Sequence, residues 1–198
     1  MSRYFPHPPY AEDQPLSHTI LTVHVLGRGY TTGAVVGLGA LSVGGLNKRI
    51  RGAGAAKTTT ATIASSAAAT TLRTTGVHRV LRSTGTASLI GMTLMGLALA
   101  GRMQGREDIE WRDRSWRLLA NEGQVETDDW TVGGTVAGLV GLGVWRQAGG
   151  AAAGAGVRVV AGAAGVGSVV GTVGYLAWRY GVHKGRFPEY VAAEEAAL

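Results

Sequence analysis

"STGTASLIGMTLMGLALAG", Ser83–Gly101, holds no charged residue and is closed at either end by an arginine, Arg82 and Arg102. A hydrocarbon core about 30 Å thick needs about 20 helical residues to cross it, and this run has that length. In lipid such a stretch must be helical, because each peptide group has to find its partner within the segment itself. The fold turns on whether the rest of the chain repeats this pattern.

It does so three more times. Downstream, "WTVGGTVAGLVGLGVW" (Trp130–Trp145) lies between Asp129 and Arg146, and "VVAGAAGVGSVVGTVGYLAW" (Val159–Trp178) between Arg158 and Arg179. Upstream, "YTTGAVVGLGALSVGGL" (Tyr30–Leu46) reaches back to Leu21 if Arg28 sits at an interface. The first run fits a bilayer if it tilts or extends, and the third if its flanking side chains reach for water. Val and Gly in the last two runs locally favour strand, but the runs exceed the usual strand of about 4–8 residues. A Gly-rich helix in water would lose nearly 1 kcal/mol per Gly relative to Ala. The expectation is an all-α integral membrane protein with about four Gly-rich transmembrane helices, near 21–46, 83–101, 130–145 and 159–178. These sit in a membrane domain over 19–181, between an extended N-terminal arm (1–18) and a C-terminal tail (182–198).

Composition agrees. Charged residues make up 16% of the chain, against about 25% in typical soluble domains. Gly occurs 32 times and Phe only 2, too few large side chains for a water-excluding core, since burying Gly contributes almost nothing beside Leu or Phe. Helices in lipid, by contrast, associate through small residues that let backbones approach. The arm, "MSRYFPHPPYAEDQPLSH", has neither a signal-peptide apolar stretch nor the basic amphipathic helix of a mitochondrial presequence. No cysteine is present, which excludes disulfides and thiolate sites.

Net charge is +6, but its distribution speaks for a membrane rather than nucleic acid. Residues 47–82 carry seven Lys or Arg and no acid. Such loops stay on the electrically negative side of a membrane, with the 146–158 loop, leaving both termini and residues 102–129 on the other. The low-complexity stretch 58–72 fits a half-buried helix and a surface segment equally.

Residues 102–129 form a polar island with eight of the thirteen acids and five arginines. Within it, Arg106–Asn121 reads as a short amphipathic interfacial helix carrying Trp111, Leu118 and Leu119 on one side, widened by Ile109 and Trp116 and ending at Gly123. Glu107, Asp108, Glu110 and Asp113 could be paired carboxylates. Arginines alternate with them and no His accompanies them, so local ion pairs are the ordinary outcome. His7, His18, His24, His78 and His183 show no ligand spacing. "GAVVGLGALSVGG" lacks the Gly-Lys-Ser/Thr ending of a phosphate loop. No catalytic, cofactor-binding or metal residue is expected. The last three runs hold no charged residue inside them, which argues against a pump or channel.

The expected helix-packing residues are Gly29, Gly33 and Gly37, which share one groove, with Gly134 and Gly138, and Gly167 and Gly171. Trp111, Trp116, Trp130, Trp145 and Trp178 are expected at the membrane surface, where amphipathic rings collect at helix ends.

"MSRYFPHPPYAEDQPL", "EWRDRSWRLLANEGQVETDDW" and the four-run layout together resemble fungal accessory membrane subunits of mitochondrial complex I, the NADH–ubiquinone oxidoreductase. The resemblance implies a multi-pass protein of the mitochondrial inner membrane, without cofactor or catalysis of its own. It would stabilise the membrane arm of this respiratory-chain assembly, its partners being core and accessory subunits and phospholipids, not nucleic acid. The layout is also similar to the Tim17-like group of inner-membrane translocases, whose signature Arg and Asp after the second helix have no clear counterpart here. A translocase or small transporter component is the alternative.

Overall fold

A computed structural model of the chain describes residues 4–53, 66–149 and 156–185, and the described residues are helical with no strand. The expected tail therefore lies outside them from residue 186 on, as do residues 58–65 of the low-complexity stretch.

Helix α1 runs Ser17–Ala53, α2 Ser66–Met103, α3 Asp108–Ala120, α4 Glu122–Gln147 and α5 Val157–Leu176. A single wide π turn, Ala177–Val182, prolongs α5. At 1.5 Å per residue α1 and α2 are each about 55 Å long, well beyond a bilayer's apolar thickness. Charge marks where a helix leaves an apolar layer, not where it stops, so both overrun the uncharged stretches that announced them. The third run is no longer short for the same reason. Helix α4 begins eight residues before Trp130, inside the polar island.

The island is thus not one interfacial helix with a loop behind it. The expected stop at Gly123 is displaced to Asn121, the one residue between α3 and α4. Asn121 leaves helical geometry (φ −88°, ψ 96°) and its side chain accepts a hydrogen bond from the Gln124 backbone N–H, a strong N-cap arrangement. Gly123 falls in the first turn of α4, where it breaks nothing.

Helix α1 packs along α2, α4 along α5, and α2 against α5, joining two antiparallel hairpins; α3 lies beside α1. One end of the bundle gathers the starts of α1 and α4, the ends of α2 and α5, and α3. The other gathers the remaining ends of the four long helices.

Much of what fills the interior is small, beside a few large side chains such as Ile20, Leu142, Val159 and Tyr175. Thr84, Ser88 and Ser168 are essentially inaccessible, as are Ala34 and Ala163, while Val36, Leu94, Leu97, Val136, Val140, Val144 and Val170 are exposed. Gly76–Met103 and Val157–Val182 are long and apolar enough to cross a membrane.

The N-terminal arm is not stretched away from the bundle. It turns through Ala11–Asp13 and folds back over α3. Buried Gln14 fastens it, donating from Nε2 to the carbonyls of Pro6 (2.9 Å) and Pro15 (3.0 Å). Leu16 follows with φ 55°, a left-handed conformation that costs a non-glycine residue about 1–2 kcal/mol, and its carbonyl receives the Ile20 N–H that opens α1.

Candidate functional site: glycine seams and a polar cap

Three seams hold the long helices together, and each is built where one backbone touches another. On α1, Gly29, Gly33 and Gly37 face α2. A Cβ on Gly29 would come within 2.7 Å of the Gly91 carbonyl, and one on Gly37 within 2.9 Å of Thr84 Cα and Ala87 Cβ. One on Gly33 would drive into the Ala87 carbonyl. The i, i+4 repeat puts the three glycines on one face.

The α4–α5 seam is reciprocal. Gly134 and Gly138 oppose the carbonyls of Gly167 and Ala163, while Gly167 and Gly171 oppose those of Gly134 and Trp130. Beside it, the Thr131 and Thr172 hydroxyls meet at 2.9 Å. All seven glycines singled out from sequence therefore stand at contacts inside the chain.

The third seam escaped that reading. A Cβ on Gly85 of α2 would drive into the Arg158 carbonyl and lie 2.6 Å from the Gly162 nitrogen, and one on Gly162 would meet the Leu81 backbone. A Cβ on Gly165 would lie 2.7 Å from Ser88 Oγ and 3.2 Å from Ala34 Cβ, so this seam also reaches α1. Tyr30 adds a hydrogen bond across it, its hydroxyl donating to the Ala161 carbonyl. The signal for it in the sequence is Thr84–Ser88, a small-residue pair at helical spacing that contains no glycine.

At the acid-bearing end, the bundle is closed by charge instead. Asp128 on α4 accepts a hydrogen bond from His24 Nδ1 on α1 at 2.8 Å, and Arg28 Nη2 lies 2.8 Å from its other oxygen. That second contact is an ion pair whose N–H is not aligned on the oxygen, since Arg28 Nη2 and Nε make no hydrogen bond. Gln124 Nε2 lies 3.2 Å from His24 Nε2. With Gln124 donating there, the ring proton sits on Nδ1, which is what Asp128 requires. Near them Arg179 faces Glu126 at 3.5 Å and donates to the Gly185 carbonyl at 3.0 Å. The π turn, in which the His183 N–H reaches the Trp178 carbonyl, supplies the extra residue. His24, Asp128 and Arg179 are all at least nine-tenths buried. His24, dispersed in sequence, finds its partner 104 positions away.

The tryptophans divide into two groups. Trp111 stacks on His18 (centroids 4.2 Å) and Trp116 on His7 (5.3 Å). Trp116 Nε1 also donates to the Pro8 carbonyl at 2.9 Å, and Arg112 to the Glu12 carbonyl at 2.7 Å. Trp116 is thus flanked by the arm and Trp111 by the start of α1, and both rings are half-buried. Trp130, toward the start of α4, leans on Tyr175 and Trp178 at the end of α5 and its π turn. Trp145, at the opposite end, packs on the Leu142–Val159–Ala163 cluster.

Glu110 and Asp113 of α3 make local ion pairs, with Arg106 (3.2 Å) and Arg117 (3.0 Å). Asp108 meets His18 at 3.3 Å. Among the described residues, no three His, Asp or Glu side chains are grouped to hold a metal ion. The arrangement can bind helices together and fix their register. No protein-family model, curated protein or solved structure matches the chain.

Proposed function

We propose that this chain is a non-catalytic accessory subunit of the membrane arm of mitochondrial complex I, with α1, α2, α4 and α5 crossing the inner membrane. The observation that carries the membrane part is the inverted distribution of size. Seams of Gly, Ala, Ser and Thr face inward while Val, Leu and Ile face out, a surface that water disfavours by about 25 cal/mol per Å².

Charge spacing supports four crossings. Along the helices, Arg28 to Lys48, Arg82 to Arg102 and Arg158 to Arg179 each bound about 30 Å of rise, and Asp129 to Arg146 about 25 Å. These are bilayer dimensions, and the helices outside the two most apolar ones conform to them. The respiratory assignment is supported by the resemblance of the arm and the Trp-rich island. Those two segments clasp each other, forming a compact extramembrane lobe that a neighbouring subunit could seat upon.

Because the glycine grooves are consumed within the chain, attachment to neighbours falls to the outward aliphatic faces and to this lobe. The test is purification from mitochondrial membranes in mild detergent, with identification of what accompanies the chain. Co-purification with complex I membrane-arm subunits, and retention in the pellet after carbonate extraction, are expected. A chain that is monodisperse in detergent-free buffer ends the proposal. Proteoliposomes of the purified chain that conduct ions or take up peptide would favour the translocase alternative.

A further inference from the structure

We propose that the chain holds one anionic glycerophospholipid in the cleft between α2 and α4, at the end of the bundle that carries no acid. This rests on the membrane reading above and adds to it a defined ligand and a place.

The cleft has a volume of about 190 Å³. Val77 and Leu81 of α2 form one wall, Leu142 and Trp145 of α4 the other, and Ala163 and Val166 of α5 line it between them. Gly141 also lines it, and a Cβ there would meet nothing within 4 Å, so the cleft is open along that edge. The lining is apolar. Its volume is that of about six water molecules, room for a length of alkyl chain but not for a helix about 10 Å across.

The mouth supplies the second half of the ligand. Leu81 is followed by Arg82, Trp145 by Arg146, and Val159, which packs with Leu142, is preceded by Arg158; all three arginines are exposed. The Arg158 carbonyl touches Gly85, which brings Arg158 within about a turn of Arg82. No Asp or Glu occurs between Asp13 and Glu107, or between Asp129 and Glu189, so no acid from α2, α5 or their adjoining segments neutralises them. An apolar slot whose lining residues Leu81 and Trp145 each adjoin an exposed arginine, with exposed Arg158 of α5 a third, suits an acyl chain within it and a phosphate beside its basic rim. Guanidinium forks suit phosphate oxygens in particular.

The full chain, purified in neutral detergent and stripped of lipid, is titrated with dioleoyl phosphatidylglycerol or dioleoyl phosphatidylcholine and read by native mass spectrometry. One phosphatidylglycerol is expected to be retained, at least fivefold more tightly than phosphatidylcholine. Arg146→Gln and Arg158→Gln should each weaken it about fivefold and leave phosphatidylcholine unaffected. Gly141→Leu, which fills the cleft away from every seam, should lower retention of both lipids while the chain stays monodisperse. Equal affinity for the two lipids overturns the proposal, as does a preference that survives in the double arginine variant. Competition by glycerol 3-phosphate would make this a phosphate site and not a lipid site. A photo-crosslinker on Gly141→Cys that captures protein in native membranes would give the cleft to a partner instead. Carbonate extraction run in parallel separates the two readings: a chain that stays in the membrane yet shows no lipid preference loses only the cleft, whereas release into carbonate removes the membrane assignment too.

Discussion

The glycine seams and the polar cap hold the same helices by opposite means. Between α4 and α5 there is almost nothing to hold with. Gly134, Gly138, Gly167 and Gly171 contribute no side chain, and the contact consists of backbones brought close enough for dispersion and a threonine pair to act. Between α1 and α4 the contact is all side chain, an aspartate gripping a histidine and an arginine in a buried setting. The first kind of contact fails when an atom is added, the second when one is removed.

The sharpest way to break the comparison is at the seam. Gly167→Leu should prevent the hairpin from closing, because overpacking that typically costs 1–3 kcal/mol here falls on backbone with no side chain to swing aside. The expected outcome is loss of a monodisperse species in detergent, judged by size exclusion beside Gly143→Leu, whose site is open and which should behave as wild type. Gly33→Leu with Gly37→Leu should act alike through failure of the chain's own fold; under the proposed complex I role, native gels would also show lower retention in that complex with NADH oxidation unchanged.

At the cap the direction reverses. Asp128→Ala leaves buried His24 and half-buried Arg28 without their carboxylate and should destabilise by about 3 kcal/mol, read as a fall in the midpoint of thermal unfolding in detergent. Replacing the group together, His24→Leu, Arg28→Met and Asp128→Leu, should recover most of that loss, since apolar packing of similar volume often equals a buried ion pair. If the triple variant is no better than Asp128→Ala, the cap holds the helices through something other than mutual charge satisfaction.

Smaller effects belong to the arm. Trp116→Ala removes the His7 stack and the bond to the Pro8 carbonyl, each worth about 1 kcal/mol. It should speed proteolysis at residues 4–15 without moving the unfolding midpoint of the bundle. Smallest is Arg106→Ala, which deletes an exposed i, i+4 pair and should change stability by less than about 0.5 kcal/mol.

Much of this architecture is written in single stretches of sequence, and the rest in pairs of stretches. The uncharged runs located all four long helices, because an absence of charge is a local property. Their ends were misjudged where polar turns continue the helix, as with the first two turns of α4 or the start of α2 at Ser66. The seven glycines fell on contact faces because i, i+4 spacing defines a face without knowledge of the partner. Gly85 and Gly162 offered no such repeat, since each meets a different helix at one crossing. The cap was invisible: His24 and Asp128 become a pair only once the starts of α1 and α4 are brought to the same end of the bundle, where side chains alone bridge them. The fate of Trp111 and Trp116 likewise depended on where the arm folds, which its prolines do not dictate.

Carrying bulk outside and smallness inside reverses the usual map of mutational tolerance. In a water-soluble domain, the centre demands large side chains and the periphery accepts nearly any polar one. Here a methyl group gained at the centre should be fatal, while Val140 and Leu94 on the outside can trade places with any other aliphatic at little loss. Random variation should therefore leave a fingerprint in which the smallest amino acids are the least replaceable and the greasiest the most freely exchanged.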